Sequence, residues 1–554
     1  MLICTVFLYY NVGCCEIIIF FVSLGVNWLN RLIMNRLKYI LLVFTLLVSV
    51  RGYADRTELE QAGMKLSQFL FYLDNLYVDM VDVGELAEKA IVEVLQELDP
   101  HSSYIATEDV AEMNQGIQGN FEGIGISYQF IKDTVVVSQT IAGCPAEKVG
   151  MLPGDRLTHV GEICIAGVGM KQSEIPKLIR GPKGSKVDVT VVRRGEKKPI
   201  VFTIIRDKIP LYSVDAAFYV AEGVGYVKLN SFSVTTTDEI AQALEELERE
   251  GELKSLVLDL QSNGGGVMSA AIELVNLFLP KDRLIVYTEG VHQDRFSAMS
   301  FGGKKLIDLP LYVLIDEHSA SASEIVSGAL QDWDRATIVG RRSFGKGLVQ
   351  RPLRMKDGSE IRLTTSRYYT PSGRNIQKPY AEGKEEYYKD LEKRYEHGEF
   401  VNPDSITFPD SLKYKTLVEG RTVYGGGGIF PDVFVPLDTT RVTKLHRNVV
   451  AKGVFNKIVS EYLDQNRKSW SRKYSTFEEF EAGFVMSEKI YDRLIENARE
   501  EKVEFDEADV EKSKSLLMLQ MKAVVAQGLY GTEAFYRVMC VENAALERVL
   551  EMIK

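Results

Sequence analysis

Apolar residues recur every three or four positions between Asp55 and Gln118, at Leu66, Phe69, Leu70, Leu73 and Leu76 and again at Leu86, Ile91, Val94 and Leu95. That period predicts helices, with these stripes as core positions. Asp99-Pro100-His101 should end the run, because proline disfavours helical geometry in the residue before it. From Gly119 to Arg206 the pattern shortens to strands at Val135–Val137, Ile163–Ile165, Val187–Val192 and Ile200–Ile205, with Arg194-Gly195-Glu196 as a hairpin turn. One short helix, marked by Ile175, Leu178 and Ile179, ends at Gly181-Pro182. A helix beside a sheet edge makes a groove in which an extended peptide adds as a strand. The turn Gly123-Ile124-Gly125-Ile126 is placed to aim backbone N–H groups at a terminal carboxylate.

Strands and helices alternate from Val224 to about Pro436. Val224–Leu229, Leu256–Leu260, Leu311–Ile315 and Ala336–Val339 read as buried strands. Helices follow from Thr236 or Thr237 to Glu250, from Val267 to Leu279, and from the serine-rich turn at Ser319 to Trp333. Turns that follow the strands of such a layer are where sites form. Residues 379–412 mix charges of both signs with tyrosines and read as a solvated insertion. Beyond Thr440 the pattern is helical, with a stripe at Leu516, Leu517, Leu519, Met521 and Val524 that suits either a cap or an interface between copies. The fold class is therefore α/β multidomain: an N-terminal helical region (55–118), a β-rich domain (119–206), an α/β core (207–439) and a C-terminal helical region (440–554).

The first 54 residues stand apart. Met34-Asn35-Arg36-Leu37-Lys38 is basic, and the apolar run Tyr39–Val50 follows it. Gly52-Tyr53-Ala54 places small residues before Asp55, so the pattern is that of a cleaved export signal starting at Met34. The run is shorter than the ~20 residues a bilayer span needs. A start at Met1 would instead add a stretch, Leu2–Leu29, long enough to tether the protein to the membrane. Of the six cysteines, Cys4, Cys14 and Cys15 lie in this segment; Cys144, Cys164 and Cys540 make no disulfide scaffold, and Cys144 and Cys164 read as two buried structural thiols, with a bridge between them as the alternative. The formal net charge of -11 gives no field to draw the chain onto nucleic acid.

Candidate chemistry narrows quickly. The six histidines form no metal-ligand pair, and no cofactor motif survives inspection. Gly340 to Lys346 approaches a phosphate loop, but Gly347 stands where a Ser or Thr should hold magnesium, and Leu348-Val349-Gln350 resumes a strand. His318, three residues before Ser321, is too close along the chain to serve as its base. What remains is a serine at a helix start, a lysine between glycines and a triple-glycine turn. Lysine can deprotonate a serine only if burial lowers its pKa from about 10.4 toward neutrality, which costs about 4 kcal/mol for a three-unit shift. Taken alone, Ser321-Ala322-Ser323-Glu324 is equally a capping box that merely starts a helix.

Two resemblances add to this. Gly123–Ile126, with Cys144–Met151 and Pro153-Gly154-Asp155, resembles a PDZ domain and its carboxylate-binding loop. Asn263-Gly264-Gly265-Gly266, Ser319–Glu324, Phe344-Gly345-Lys346-Gly347 with Gln350, and Thr370-Pro371-Ser372-Gly373-Arg374 resemble the C-terminal processing, or tail-specific, peptidases from about Leu76 to Pro436. The resemblance implies Ser321 as nucleophile, Lys346, 25 positions later, as its base, and Gln350 as the group that orients the amine. It further implies an oxyanion hole from the N–H groups of Ala322 and Gly266. Cys144 departs from the family's more usual serine, and the insertion and C-terminal helices fall outside the resemblance. The expectation is an exported, periplasmic serine endopeptidase needing no metal or cofactor. Its partners would be proteins or peptides with apolar C-terminal tails, with an adaptor and self-association through the C-terminal helices as further contacts. The rival readings are a peptide-binding scaffold without catalysis and acyl transfer on small molecules.

Overall fold

The computed structural model describes residues 57–131, 133–302 and 306–554. The export segment, its cleavage position and Cys4, Cys14 and Cys15 lie outside the described residues. The chain divides into one compact unit that ends at Ala90 and a second, Ile91–Lys554. No helix among the described residues is long and apolar enough to cross a membrane.

In the first unit residues 57–76 are helical, as their period predicts. The stripe is not a core, however: Leu66 and Phe69 are 54% exposed and Leu76 is 72% exposed. A 3.6-residue period reports the conformation that aligns apolar side chains, and it carries no information on whether another element covers them.

The second unit holds the β-rich domain and the α/β core. In the β-rich domain the strands Ile126–Phe130, Val135–Thr140, Arg156–Val160, Lys186–Val192 and Ile200–Ile205 lie in that order, with Ile163–Cys164 on the third. They close over a core that includes Ile124, Val137, Leu157, Val189 and Ile204 together with Ile175 and Ile179 of the short helix Ile175–Ile179. Entry and exit strands, Asn120–Gly123 and Asp207–Pro210, pair antiparallel outside this sheet and tie the two ends of the domain together. Gly125 has φ +81°, and a Cβ there would lie 2.4 Å from the Cβ of Cys144, so the buried thiol backs the glycine turn. Cys164 is exposed, against expectation, because its two-residue strand sits on the outer edge of the sheet; all three described cysteines are free.

The core sheet runs Val214–Ala221, Val224–Leu229, Ser255–Asp259, Leu311–Ile315, Thr337–Gly340, Val433–Phe434. Its first pair is antiparallel and the rest are parallel. Because successive parallel strands advance in one direction, right-handed crossovers place their helices on a single face. There Thr236–Glu250, Met268–Asn276 and Ala322–Asp332 bury the main core with Leu258, Val313 and Ile338. The opposite face would be left bare. Ala545, Leu546 and Val549 of the C-terminal helix Ala544–Ile553 cover it, against Phe218, Tyr226, Val257 and Leu314. Leu517 and Met521 of the stripe are buried within the C-terminal helical cluster, so these two positions serve packing inside the chain.

A second sheet supports the site: Ser103–Ile105, Glu360–Tyr369, Leu284–Gly290 and Gln293–Met299, with Leu348–Arg354 pairing on Glu360–Tyr369. The segment after Asp99 thereby joins the α/β core through its three-residue strand.

Candidate active site

Ser321 sits at the turn between the strand Leu311–Ile315 and the helix Ala322–Asp332, with φ +55° and ψ −111°. Non-glycine residues reach this region at a cost of about 1–3 kcal/mol, so the turn must be held from outside. Gly265 holds it on one side: a Cβ there would lie 2.7 Å from Ala320 O, 2.8 Å from Ser321 Cβ and 2.9 Å from Ala322 N. Only glycine permits that approach. The spacing is that of a capping box, but only the Glu324 half is made, by the Ser321 N–H at 2.8 Å. The Glu324 N–H goes to the Ser321 carbonyl at 2.9 Å, and the Ser321 hydroxyl makes no cap hydrogen bond. The hydroxyl is thus not spent on starting the helix.

Lys346 lies on the loop before the strand Leu348–Arg354. Gly345 has φ +90° and packs against the Gly427–Gly428 backbone, while a Cβ on Gly347 would lie 2.9 Å from Gln377 N. The flanking glycines let the loop sink against its neighbours. Burial lowers the pKa of the Lys346 amine from its ordinary value; the charges of Glu324 and Asp99 oppose that shift and Arg362 adds to it.

Two groups join the serine turn to the lysine loop. The fully buried carboxylate of Glu324 accepts the N–H of Ser321 and of Lys346 (2.9 Å) on one oxygen, and the N–H of Gly345 (2.7 Å) and the Ser343 hydroxyl (2.5 Å) on the other. Burial raises its pKa to about 7, and the donors around it pull the other way. Tyr368, also fully buried, lies with its hydroxyl 2.7 Å from the Lys346 carbonyl and 3.1 Å from that of Ser321. A further bond, Phe344 N–H to the Ser319 carbonyl at 2.9 Å, closes the ring of contacts.

The glycine turn is built on Asn263, whose side chain accepts the Gly265 N–H at 2.9 Å and donates to the Leu229 carbonyl at 2.9 Å. With that N–H committed, the N–H groups of Gly266 and Ala322 make no backbone hydrogen bond among the described residues. A side chain at Gly266 (φ +145°) would collide with Phe232 O at 2.0 Å. Gln350 donates its side-chain amide to Thr364 Oγ1 at 3.1 Å. The Thr370–Arg374 segment is a staple: the fully buried Arg374 pairs with Asp332 at 2.5 Å, at the end of the serine helix. His318 is exposed, its backbone N–H held by Asp316.

The insertion departs most from its sequence reading. Its surface helices carry solvated ion pairs such as Lys389–Glu385, but its inner residues wall the lysine loop. Arg394, buried, donates to the carbonyls of Arg342 (2.7 Å) and Ser343 (3.1 Å) and shares Glu399 with Arg342. Lys378 lies 3.9 Å from the Phe344 ring centroid and 4.2 Å from that of Tyr387, and pairs with Asp390 at 3.0 Å. Tyr368, Asp99, Lys378 and the inner residues of the insertion are the parts of the site that sequence reasoning missed; Glu324 was read there only as the capping-box partner of Ser321.

The chain matches the models of peptidase family S41 over residues 223–384 and of the PDZ domain over 136–193, and a family of unknown function over 445–531. It is 40% identical over 309 residues to the carboxy-terminal-processing protease of Bartonella bacilliformis, covering 54% of this chain and 69% of that one. With a Staphylococcus aureus protein named "Probable CtpA-like serine protease" it shares 33% identity over 362 residues, 65% of this chain and 67% of that one. A solved photosystem II D1 C-terminal processing protease aligns over 68% of this chain and 87% of its own at 25% identity, with a TM-score of 0.35. On the first two likenesses and the two domain matches, the chain belongs to the carboxy-terminal-processing proteases, serine-type peptidases of family S41 that carry a PDZ domain.

Proposed function

We propose that the protein is an exported endopeptidase in which Ser321 is the nucleophile, Lys346 its general base and Gln350 the group that orients the amine. The observation that carries this reading is the shared anchoring of the serine turn and the lysine loop on one buried carboxylate and one tyrosine hydroxyl. In the reaction the neutral amine takes the hydroxyl proton as Oγ attacks the scissile carbonyl. The N–H groups of Ala322 and Gly266 receive the oxyanion, and the resulting ammonium returns its proton to the leaving amine. Water then repeats the sequence on the acyl-enzyme and releases the serine.

Substrate capture is assigned to Gly123, Ile124, Gly125 and Ile126 and to the strand after them. Among the described residues Ile126–Phe130 pairs with Val135–Thr140 alone, which leaves one edge of its sheet open to a C-terminal tail. The boundaries 55–118, 119–206, 207–439 and 440–554 are proposed with it, as are periplasmic location, an adaptor that delivers substrates and self-association through outer faces of the C-terminal helices. Changing Ser321 or Lys346 to alanine should abolish cleavage of an unfolded substrate with an apolar C-terminus while circular dichroism stays unchanged. Full proteolysis by either variant would contradict the assignment.

A further inference from the structure

The orientation of the Gln350 side chain is fixed from outside its own strand. Gln350 and Thr364 are register partners on adjacent strands, and the amide Nε2 donates to Thr364 Oγ1. Thr364 Oγ1 in turn donates to Asp99 Oδ1 at 3.0 Å. A hydroxyl has a single proton and a carboxylate only accepts, so the threonine proton belongs to Asp99 and its lone pair faces Gln350. The amide must therefore present its NH2 to Thr364. Its carbonyl oxygen is turned away, with no hydrogen-bond partner among the described residues, and is the end able to accept from an amine.

Asp99 is itself firmly held. It is buried at the end of the helix Val83–Leu98, and it accepts the N–H groups of His101 and Ser102 (both 2.8 Å) and the Ser102 hydroxyl (2.5 Å) besides Thr364. Ser102 Oγ also accepts the Thr364 backbone N–H at 3.0 Å, so the turn after the helix is stapled to the strand at two points. Four donors converge on the carboxylate. A charge at the end of such a chain polarises each bond in it.

The geometry points to Asp99 as a positioning residue for the candidate base: through Thr364 it fixes Gln350 with its carbonyl oxygen available to Lys346, and it sets a negative charge beside the amine. This rests on the Ser321–Lys346 reading above. The charged and titratable groups facing Lys346 are Glu324 from the serine helix, Asp99, Arg362 from the strand Glu360–Tyr369, and His101. Burial and the Lys346 charge push His101 down to about 4, so it adds no positive charge near neutral pH. Both oxygens of Glu324 are taken up by the two loops. Asp99 is the carboxylate connected to the amine's surroundings through the orienting amide.

The test is the pH dependence of kcat/KM on an unfolded substrate with an apolar C-terminus, measured on the full chain for wild type, Asp99→Asn, Thr364→Val, Gln350→Ala and the Thr364→Val/Gln350→Ala pair. Removing the negative charge removes what favours the ammonium, so Asp99→Asn should move the acid limb to lower pH by about one unit. Thr364→Val should lower kcat about tenfold with KM unchanged, Thr364→Ser should restore it, and the double variant should be no worse than Gln350→Ala alone. A purely structural Asp99 would lower Tm with the limb unmoved and leave the two other changes additive; that result overturns the proposal. Should Asp99→Asn fail to fold, the Thr364 and Gln350 cycle decides by itself. Ser321→Ala is the control: activity that survives it defeats the dyad, whereas an unmoved limb in an enzyme that depends on Ser321 defeats only the role of Asp99.

Discussion

The turn that carries Ser321 and the loop that carries Lys346 are held by different means. The serine turn is fixed chiefly from within its own segment, by a strained backbone and a carboxylate three residues later, with Gly265 of the distant glycine turn packed against it. The lysine loop is fixed over long range, by Glu324 from another helix, Tyr368 from another strand, and Arg394 and Lys378 in and beside the insertion. A nucleophile needs an exact backbone position, which local geometry supplies. A base with a lowered pKa needs a dry environment, and many distant pieces must assemble to make one.

Glu324 serves both elements, so breaking it should have the largest effect. Glu324→Gln puts an NH2 where donors converge and leaves N–H groups unpaired at about 1–3 kcal/mol each. Activity should fall by roughly 100-fold or more in a kcat assay. The same variant tests a linkage. The folded-state pKa is raised to about 7 from the ordinary 4.5 of a glutamate, so the native state holds the extra proton between these values. Stability contributed below about pH 4.5 is therefore lost as pH rises to about 7. Denaturant titrations should show that fall in wild type and its absence in Glu324→Gln.

Gly265→Ala disturbs only the serine side. With φ +96° and a backbone oxygen 2.7 Å from the new Cβ, it should cost about 2–4 kcal/mol in stability and lower kcat, while the acid limb set by Lys346 stays in place. Arg394→Met disturbs only the lysine side. Its loss opens the wall behind Arg342 and Ser343, and the limb should move toward lysine's ordinary value as water enters, with a smaller fall in kcat at high pH. Tyr368→Phe removes one shared hydroxyl and should be mildest, about 1 kcal/mol or a fivefold loss. An Arg394→Met profile identical to wild type would break the contrast between the two sides.

The same contrast explains what could be read from the sequence. The core strands were legible because parallel strands buried on both faces are continuous apolar runs, and each of the two turns was legible by itself because Asn263 stands two residues before Gly265 and Glu324 three residues after Ser321. The helix ends shifted, Met268–Asn276 being shorter than Val267–Leu279, since fraying turns carry the same apolar period as the body of the helix. Tyr368, Arg394 and Asp99 were not legible: each acts through contacts with residues far away along the chain, and a buried charged group in an insertion has the same composition as a solvated one. The exposed stripe at Leu66, Phe69 and Leu76 shows the reverse error, in which a correct period implied a burial that the fold does not provide.

The most direct test of the central claim is covalent labelling with a serine-acylating reagent, read by intact mass and peptide mapping across pH. A Ser321 nucleophile activated by Lys346 predicts a single adduct on Ser321, formed at a rate that rises with pH along a titration below lysine's ordinary value, and no adduct in Lys346→Ala. An adduct on another residue, or equal labelling of Ser321 with and without Lys346, would contradict it.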